Sequence, residues 1–168
     1  MPTHTSTART SSSTRASGRR RARPQDAIAL LRADHRKVQD LFDQFDKARG
    51  NDRKAELAHE ICSELKVHAQ IEEEIFYPAA RGALKEQDLI DEAAVEHASA
   101  KDLIAQIEQA QAGDGLFDAK VIVLGEYIKH HVKEEHNELF PKLKKTKLDL
   151  KALGEQLAER KEALMAEL

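Results

Sequence analysis

The chain has 168 residues, 40% of them hydrophobic and 34% charged, with one Cys, no Trp and a formal net charge of -3. That length supports one domain with a real core, and the lone Cys62 excludes an intrachain disulfide and suits a reducing compartment, so a cytoplasmic location is expected. No apolar run approaches the roughly 20 residues that cross a bilayer, no signal-type apolar stretch follows the N-terminus, and no membrane partner is expected.

Residues 1–24 carry six Arg and no acid, so the rest of the chain is near -9. Beyond Met1 this segment has no large apolar residue and is rich in Ser and Thr, which predicts a disordered tail. Its charge also fits a basic arm for nucleic acid. After Pro24 the pattern changes. Ala, Leu, Glu, Lys and Gln dominate, no strand-like alternation appears, and the fold class is all-α. Asp26 is a candidate N-cap for a first helix with Ile28, Leu31, His35, Val38, Phe42 and Phe45 on one face, ending near Gly50-Asn51-Asp52. A second helix has Leu57, Ile61, Leu65, His68, Glu72 and Ile75 inside, with Pro78 and Gly82 near its end. A third runs from about Glu86 to Ala110 with Ile90, Ala94, His97, Ile104 and Ile107 inside, and Gly113-Asp114-Gly115 is a turn. The fourth carries Val121, Leu124, Ile128, His131, Glu135 and Leu139, and Pro141 kinks or ends it.

These helices predict an antiparallel up-down-up-down four-helix bundle over residues 25–146. Residues 147–168 form an extra C-terminal amphipathic helix with Leu150, Leu153, Leu157, Leu164 and Met165 on its apolar stripe. It is expected to cap one end of the bundle, with a place outside it or at a subunit contact as the alternatives.

The bundle is doubled. His68-x-x-x-Glu72 is followed by Pro78, and His131-x-x-x-Glu135 by Pro141; in both copies the Pro lies ten positions after the His. Asp34-His35 precedes the first copy and Glu96-His97 the second, by 33 and 34 residues from His to His. One His on an apolar stripe is ordinarily a core residue. Four helices each with an inward His, two adding a Glu one turn later, predict a metal site, because residues four apart project from one side of a helix. Buried carboxylates without counter-charge cost several kcal/mol, and cations between them remove that cost. Imidazole and carboxylate without thiolate argue against zinc-finger and iron–sulfur sites, and four His are too nitrogen-rich for calcium or magnesium. A dinuclear iron centre suits the set, with manganese as the alternative.

With Phe76-Tyr77-Pro78 and Leu139-Phe140-Pro141 after the two copies, residues 26–145 resemble the hemerythrin family, specifically the bacterial His-His-Glu cation-binding domains. The resemblance implies an oxo- or hydroxo-bridged di-iron centre, with Glu72 and Glu135 bridging and His35, His68, His97 and His131 as terminal ligands. Oxygen-carrying hemerythrins have a fifth His one turn after the third-helix His, where this chain has Lys101. Their last carboxylate follows its His by five residues, whereas Glu135 follows His131 by four. The open positions this leaves favour reactive chemistry over oxygen carriage.

Outside the ligand set, Lys101 either points at the centre or extends to solvent. Tyr127, one turn before His131, either donates a hydrogen bond to the site or keeps its hydroxyl at the surface. His136 is a further supporting candidate. Asp34 and Glu96 lie off the inward stripe but can orient a neighbour. Glu73, Glu74, His59 and His130 read as solvated. The function expected is a cytoplasmic di-iron protein that binds or reacts with O2, NO or peroxide in sensing or stress response. Alternatives are an iron carrier, store or iron-donating repair protein, and an interaction protein gated by its metal through the basic arm. No residue is assigned a catalytic role, and open coordination positions permit turnover without requiring it.

Overall fold

The computed structural model describes residues 25–168. The expected disorder and nucleic-acid role of residues 1–24 lie outside the described residues. The first helix, α1, spans Ala27–Lys47, and its N-cap Asp26 accepts a hydrogen bond from the Ala29 N–H at 2.8 Å. Gly50, at φ 82°, turns the chain into α2, Asn51–Ile71; that left-handed backbone favours a residue without Cβ.

The second helix does not stop at its Pro. It widens into a π turn, Glu72–Phe76, and continues as α3, Tyr77–Ala83. The Tyr77 N–H bonds the Glu72 carbonyl, a five-residue step. Pro78 explains this: it has no N–H to donate, and its ring crowds the carbonyl four residues back, so the preceding turn expands. The same event recurs in the second half. After α4, Asp88–Gln109, and α5, Phe117–Glu134, a π turn at Glu135–Leu139 precedes Pro141 and leads into α6, Phe140–Lys144.

α1 pairs with α2 and α4 with α5, and the ring closes through α2 against α4 and α1 against α5. This is the expected four-helix bundle. Two apolar clusters fill it. One holds Val38, Phe42, Phe45, Leu57, Ile61 and Leu124; the other holds Leu31, Ile71, Phe76, Ile90, Phe140 and Leu157. Ala94 is exposed and Ala93 takes the inward place on α4. No helix among the described residues is long and apolar enough to cross a membrane.

The C-terminal helix, α7 (Leu150–Ala166), lies outside the four-helix ring, against α1, α2 and the first π turn. There it completes the second cluster with Leu153, Leu157 and Leu164, while Met165 is exposed. The approach is close: a Cβ on Gly154 would lie 2.2 Å from the Gln25 carbonyl oxygen and 2.8 Å from the Ala27 nitrogen. Helix propensity alone makes Gly154→Ala stabilising by about 1 kcal/mol. Backbone collision should reverse that sign, because neither main chain can give way. Thermal denaturation is expected to show a lower Tm for Gly154→Ala, and a higher Tm would disprove the close docking.

Candidate metal centre

Four helices deliver the donors. His35 comes from α1, His68 from α2, His97 from α4 and His131 from α5, while Glu72 and Glu135 are the first residues of the two π turns. Helical geometry stacks each Glu above the His four residues earlier. All six residues are buried, none more than 7% exposed, between the two apolar clusters.

The donors fall into two sets that share both carboxylates. On one side the Nε2 atoms of His35 and His68 lie 3.1 Å apart. Glu72 Oε1 is 3.2 Å from His68 Nε2, and Glu135 Oε2 is 3.2 Å from His35 Nε2. On the other side the Nε2 atoms of His97 and His131 lie 3.2 Å apart. Glu72 Oε2 is 3.2 Å from His97 Nε2, and Glu135 Oε1 is 3.5 Å from His131 Nε2. Each carboxylate thus gives one oxygen to each imidazole pair, as a bridging ligand does.

These distances fit metal ions. With metal–ligand bonds of about 2.1 Å, neighbouring ligands at right angles lie about 3.0 Å apart. Glu72 Oε1 and Glu135 Oε2 are buried with no hydrogen-bond partner among the described residues, an expense that a cation would remove. Every imidazole is also held from behind. The Nδ1 of His68 pairs with Asp34 Oδ2 at 3.2 Å, that of His97 with Glu73 Oε1 at 3.0 Å and that of His131 with Glu96 Oε2 at 2.5 Å. His35 Nδ1 pairs with His136 Nε2 at 2.8 Å. With the proton on Nδ1, each Nε2 lone pair points inward, the arrangement metal-binding histidines use. Facing lone pairs repel unless a cation separates them. The donor set fits a pair of metal ions, and its two groups share Glu72.

Without a metal, protons balance the charge. Burial presses His68 towards its neutral form, but the Glu72 and Asp34 carboxylates outweigh it and hold the imidazole up at about 10. His131 is held at about 11 by Glu135 and Glu96 against the same burial. Burial opposes ionisation of Glu72, yet His68 and His97 keep its carboxyl well below the usual range. Burial and the neighbouring Glu72 push Glu135 up, and His131 and His35 pull it lower on balance.

The supporting residues differ from expectation in several places. Tyr127 is 49% exposed and plays no part. Tyr77 takes that place: its hydroxyl donates to Glu135 Oε1 at 2.8 Å and lies 3.3 Å from Glu72 Oε2 and 3.2 Å from His131 Nε2. Burial and the two carboxylates raise its pKa well above the usual value, so it stays a donor. An α-helical count puts Tyr77 far around the helix from Glu72; the π turn's five-residue step brings them together, and Pro78 was the available signal. Glu73 is no bystander, because it holds His97. Lys101 reaches Glu73 Oε2 at 2.5 Å rather than the donors themselves. Asp34 is buried at 6% exposure, not off the inner face. His136 supports His35, and Glu96 supports His131. His130 is exposed, with Glu134 at 3.1 Å, and His59 is exposed.

The raised imidazoles fix a sign. In metal-free protein their contribution is complete below about pH 6.5, the unfolded value, and is lost as pH rises towards 10. With metal on Nε2 the folded state binds no proton there, so stability falls only below about pH 6.5, where the unfolded imidazoles protonate. Melting curves from pH 7 to about 9.5 are expected to show a falling Tm for metal-free protein and a flat one for metal-loaded protein. Parallel curves would count against ligation by His68 and His131.

Comparisons with known proteins agree with this geometry. Residues 26–143 match the model of the hemerythrin HHE cation binding domain. The fold is similar to that of a hemerythrin HHE cation binding domain-containing protein from Mycobacterium kansasii, at 25% identity and a TM-score of 0.73, over 85% of this chain and 89% of that one. The chain is also 31% identical over 114 residues to a DNA nickase of Nostoc sp., covering 66% of this chain and 31% of the relative, so it spans about a third of that protein's length. From α1 to α6, the chain belongs to the hemerythrin HHE cation binding domain family.

Proposed function

We propose that the protein is a cytoplasmic non-haem di-iron protein whose centre binds or reacts with O2, NO or peroxide, in sensing or in oxidative and nitrosative stress response. The observation that carries this is the pair of donor sets, each with two imidazole nitrogens and two oxygens from shared carboxylates. The only Cys, Cys62, is buried in an apolar cluster, where burial pushes its thiol up to about 12 and keeps it a poor ligand. Iron fits nitrogen and carboxylate oxygen better than calcium or magnesium, and it supplies redox chemistry at positions the protein leaves open. Manganese is the alternative ion.

Ligand size also supports the reading. A recess of about 30 Å³ beside the histidines is lined by Val38, Leu65, Ala100, Ile104, Ile128 and Val132. That space suits a water-sized or diatomic molecule and excludes larger organic substrates. Its apolar wall favours O2 and NO over ions, and the Tyr77 hydroxyl holds a proton at the opposite face of the donors. Protein purified without oxygen should carry about two irons per chain and show charge-transfer absorption that changes on adding NO or peroxide. Stoichiometric zinc, or no metal after anaerobic iron loading, would sink the proposal. Rapid loss of iron to a chelator without peroxide consumption would favour an iron carrier or store.

A second reading has its own support. The Nostoc relative is a DNA nickase, and residues 1–24 of this chain bring six Arg without an acid. Such a segment binds phosphates in a salt-dependent way. On this reading the metal centre acts beside, or gates contact with, a polynucleotide. Metal-loaded protein is then expected to convert supercoiled plasmid to the nicked form, and removal of residues 1–24 to lower DNA affinity at 50 mM salt by roughly 10-fold or more. Intact plasmid and equal affinities would exclude it.

A further inference from the structure

We propose that α7 is part of the metal centre, and that Lys161 is a positioning residue for His68. This rests on the reading of His68 as a metal ligand. The Lys161 ammonium donates to Asp34 Oδ1, and Asp34 Oδ2 accepts from His68 Nδ1 at 3.2 Å. The Asp34 side chain is 8% exposed, so its charge needs a partner. With Lys161 on one carboxylate oxygen and His68 on the other, Asp34 is fixed in place from both sides. A fixed carboxylate behind an imidazole sets its ring orientation and raises its basicity towards a metal.

The neighbouring residue acts on the same half of the site. Arg160 grips Glu74 with two hydrogen bonds, at 2.6 and 3.1 Å, on the π turn that begins with Glu72. The Lys161 contact is part-buried and the Arg160 pair is exposed, and both start from a helix fixed by its packing. Leu153, Leu157 and Leu164 bury one face of α7, and Gly154 seats it against the start of α1. The other imidazoles are supported from within the bundle: Glu73 with Lys101 for His97, Glu96 with His130 for His131, and His136 for His35. Among the described residues, α7 therefore supports one donor set, that of His35 and His68, and not the other. It also lies beyond the segment matched by the family model.

The test is release of iron from the full-length, iron-loaded protein to a ferrous chelator, read beside Mössbauer spectra. Lys161→Met is expected to release one of two irons roughly 10-fold faster or more, and to alter the spectrum of that iron alone. Lys161→Arg should restore slow release, and Asp34→Asn should reproduce the Lys161→Met pattern. Lys142→Met, which removes only a surface pair with Glu86, should release both irons as wild type does. Two irons in wild type with unchanged or equally accelerated release in Lys161→Met would overturn the role of Lys161. Fewer than two irons in wild type would instead overturn the dinuclear reading, and this inference with it.

Discussion

Everything in the bundle answers to two carboxylates in its apolar middle. Glu72 is fully buried and Glu135 is 2% exposed, and the negative charge of Glu72 bears directly on Glu135. Such a pair is strongly unfavourable unless positive charge sits between or around it. The imidazoles alone can supply that charge as protons, which is why His68 and His131 are held so far above their ordinary value. Metal ions supply it better. They accept the two oxygens that no hydrogen bond reaches and let the Nε2 atoms be ligands instead of donors. The core is therefore built for an occupied centre, and its metal-free form is a compromise held by protons.

That demand explains the supporting layer. A neutral imidazole aimed inward needs its Nδ1 proton taken up behind it, and each of the four rings has such an acceptor. Two of the three carboxylates in that layer are balanced by Lys, from α4 and from α7. Charge thus alternates outward from the centre through Asp34 and Lys161, and likewise through Glu73 and Lys101. The ordering of a long side chain on the surface is ordinarily worth little. Here it extends a buried network whose inner end is fixed by the bundle.

Much of this was legible in the residues. Periodicity placed the helices, and the repeated His-x-x-x-Glu identified the donors, because no packing requirement asks for those residue types on four inward stripes. The supporting layer was less legible for three separate reasons. Glu73 is a partly exposed acid between Glu72 and Glu74, and nothing local separates it from a solvated neighbour. The Lys161 contact to Asp34 spans 127 residues, and no periodicity reaches that far. Tyr77 was hidden by geometry: counting at 100° per residue puts it off the site, and only a turn of five residues brings it over Glu72.

The two halves of the repeat share that π turn but not its consequence. Pro78 and Pro141 each force the widened turn, and each turn places an aromatic residue five positions after the buried Glu, Tyr77 in the first half and Phe140 in the second. Phe140 packs in the apolar cluster, stacked parallel to the His35 ring at 6.2 Å. Tyr77 instead turns a hydroxyl onto the His97 and His131 donor set. One donor set therefore carries a buried proton donor, and the other is braced by α7 and a neutral His136, whose burial and cationic surroundings lower its pKa. A doubled sequence has produced an unequal pair of metal pockets. The repeat thus sets the donors, and the residues it does not repeat, Tyr77 against Phe140, set the difference between the two pockets.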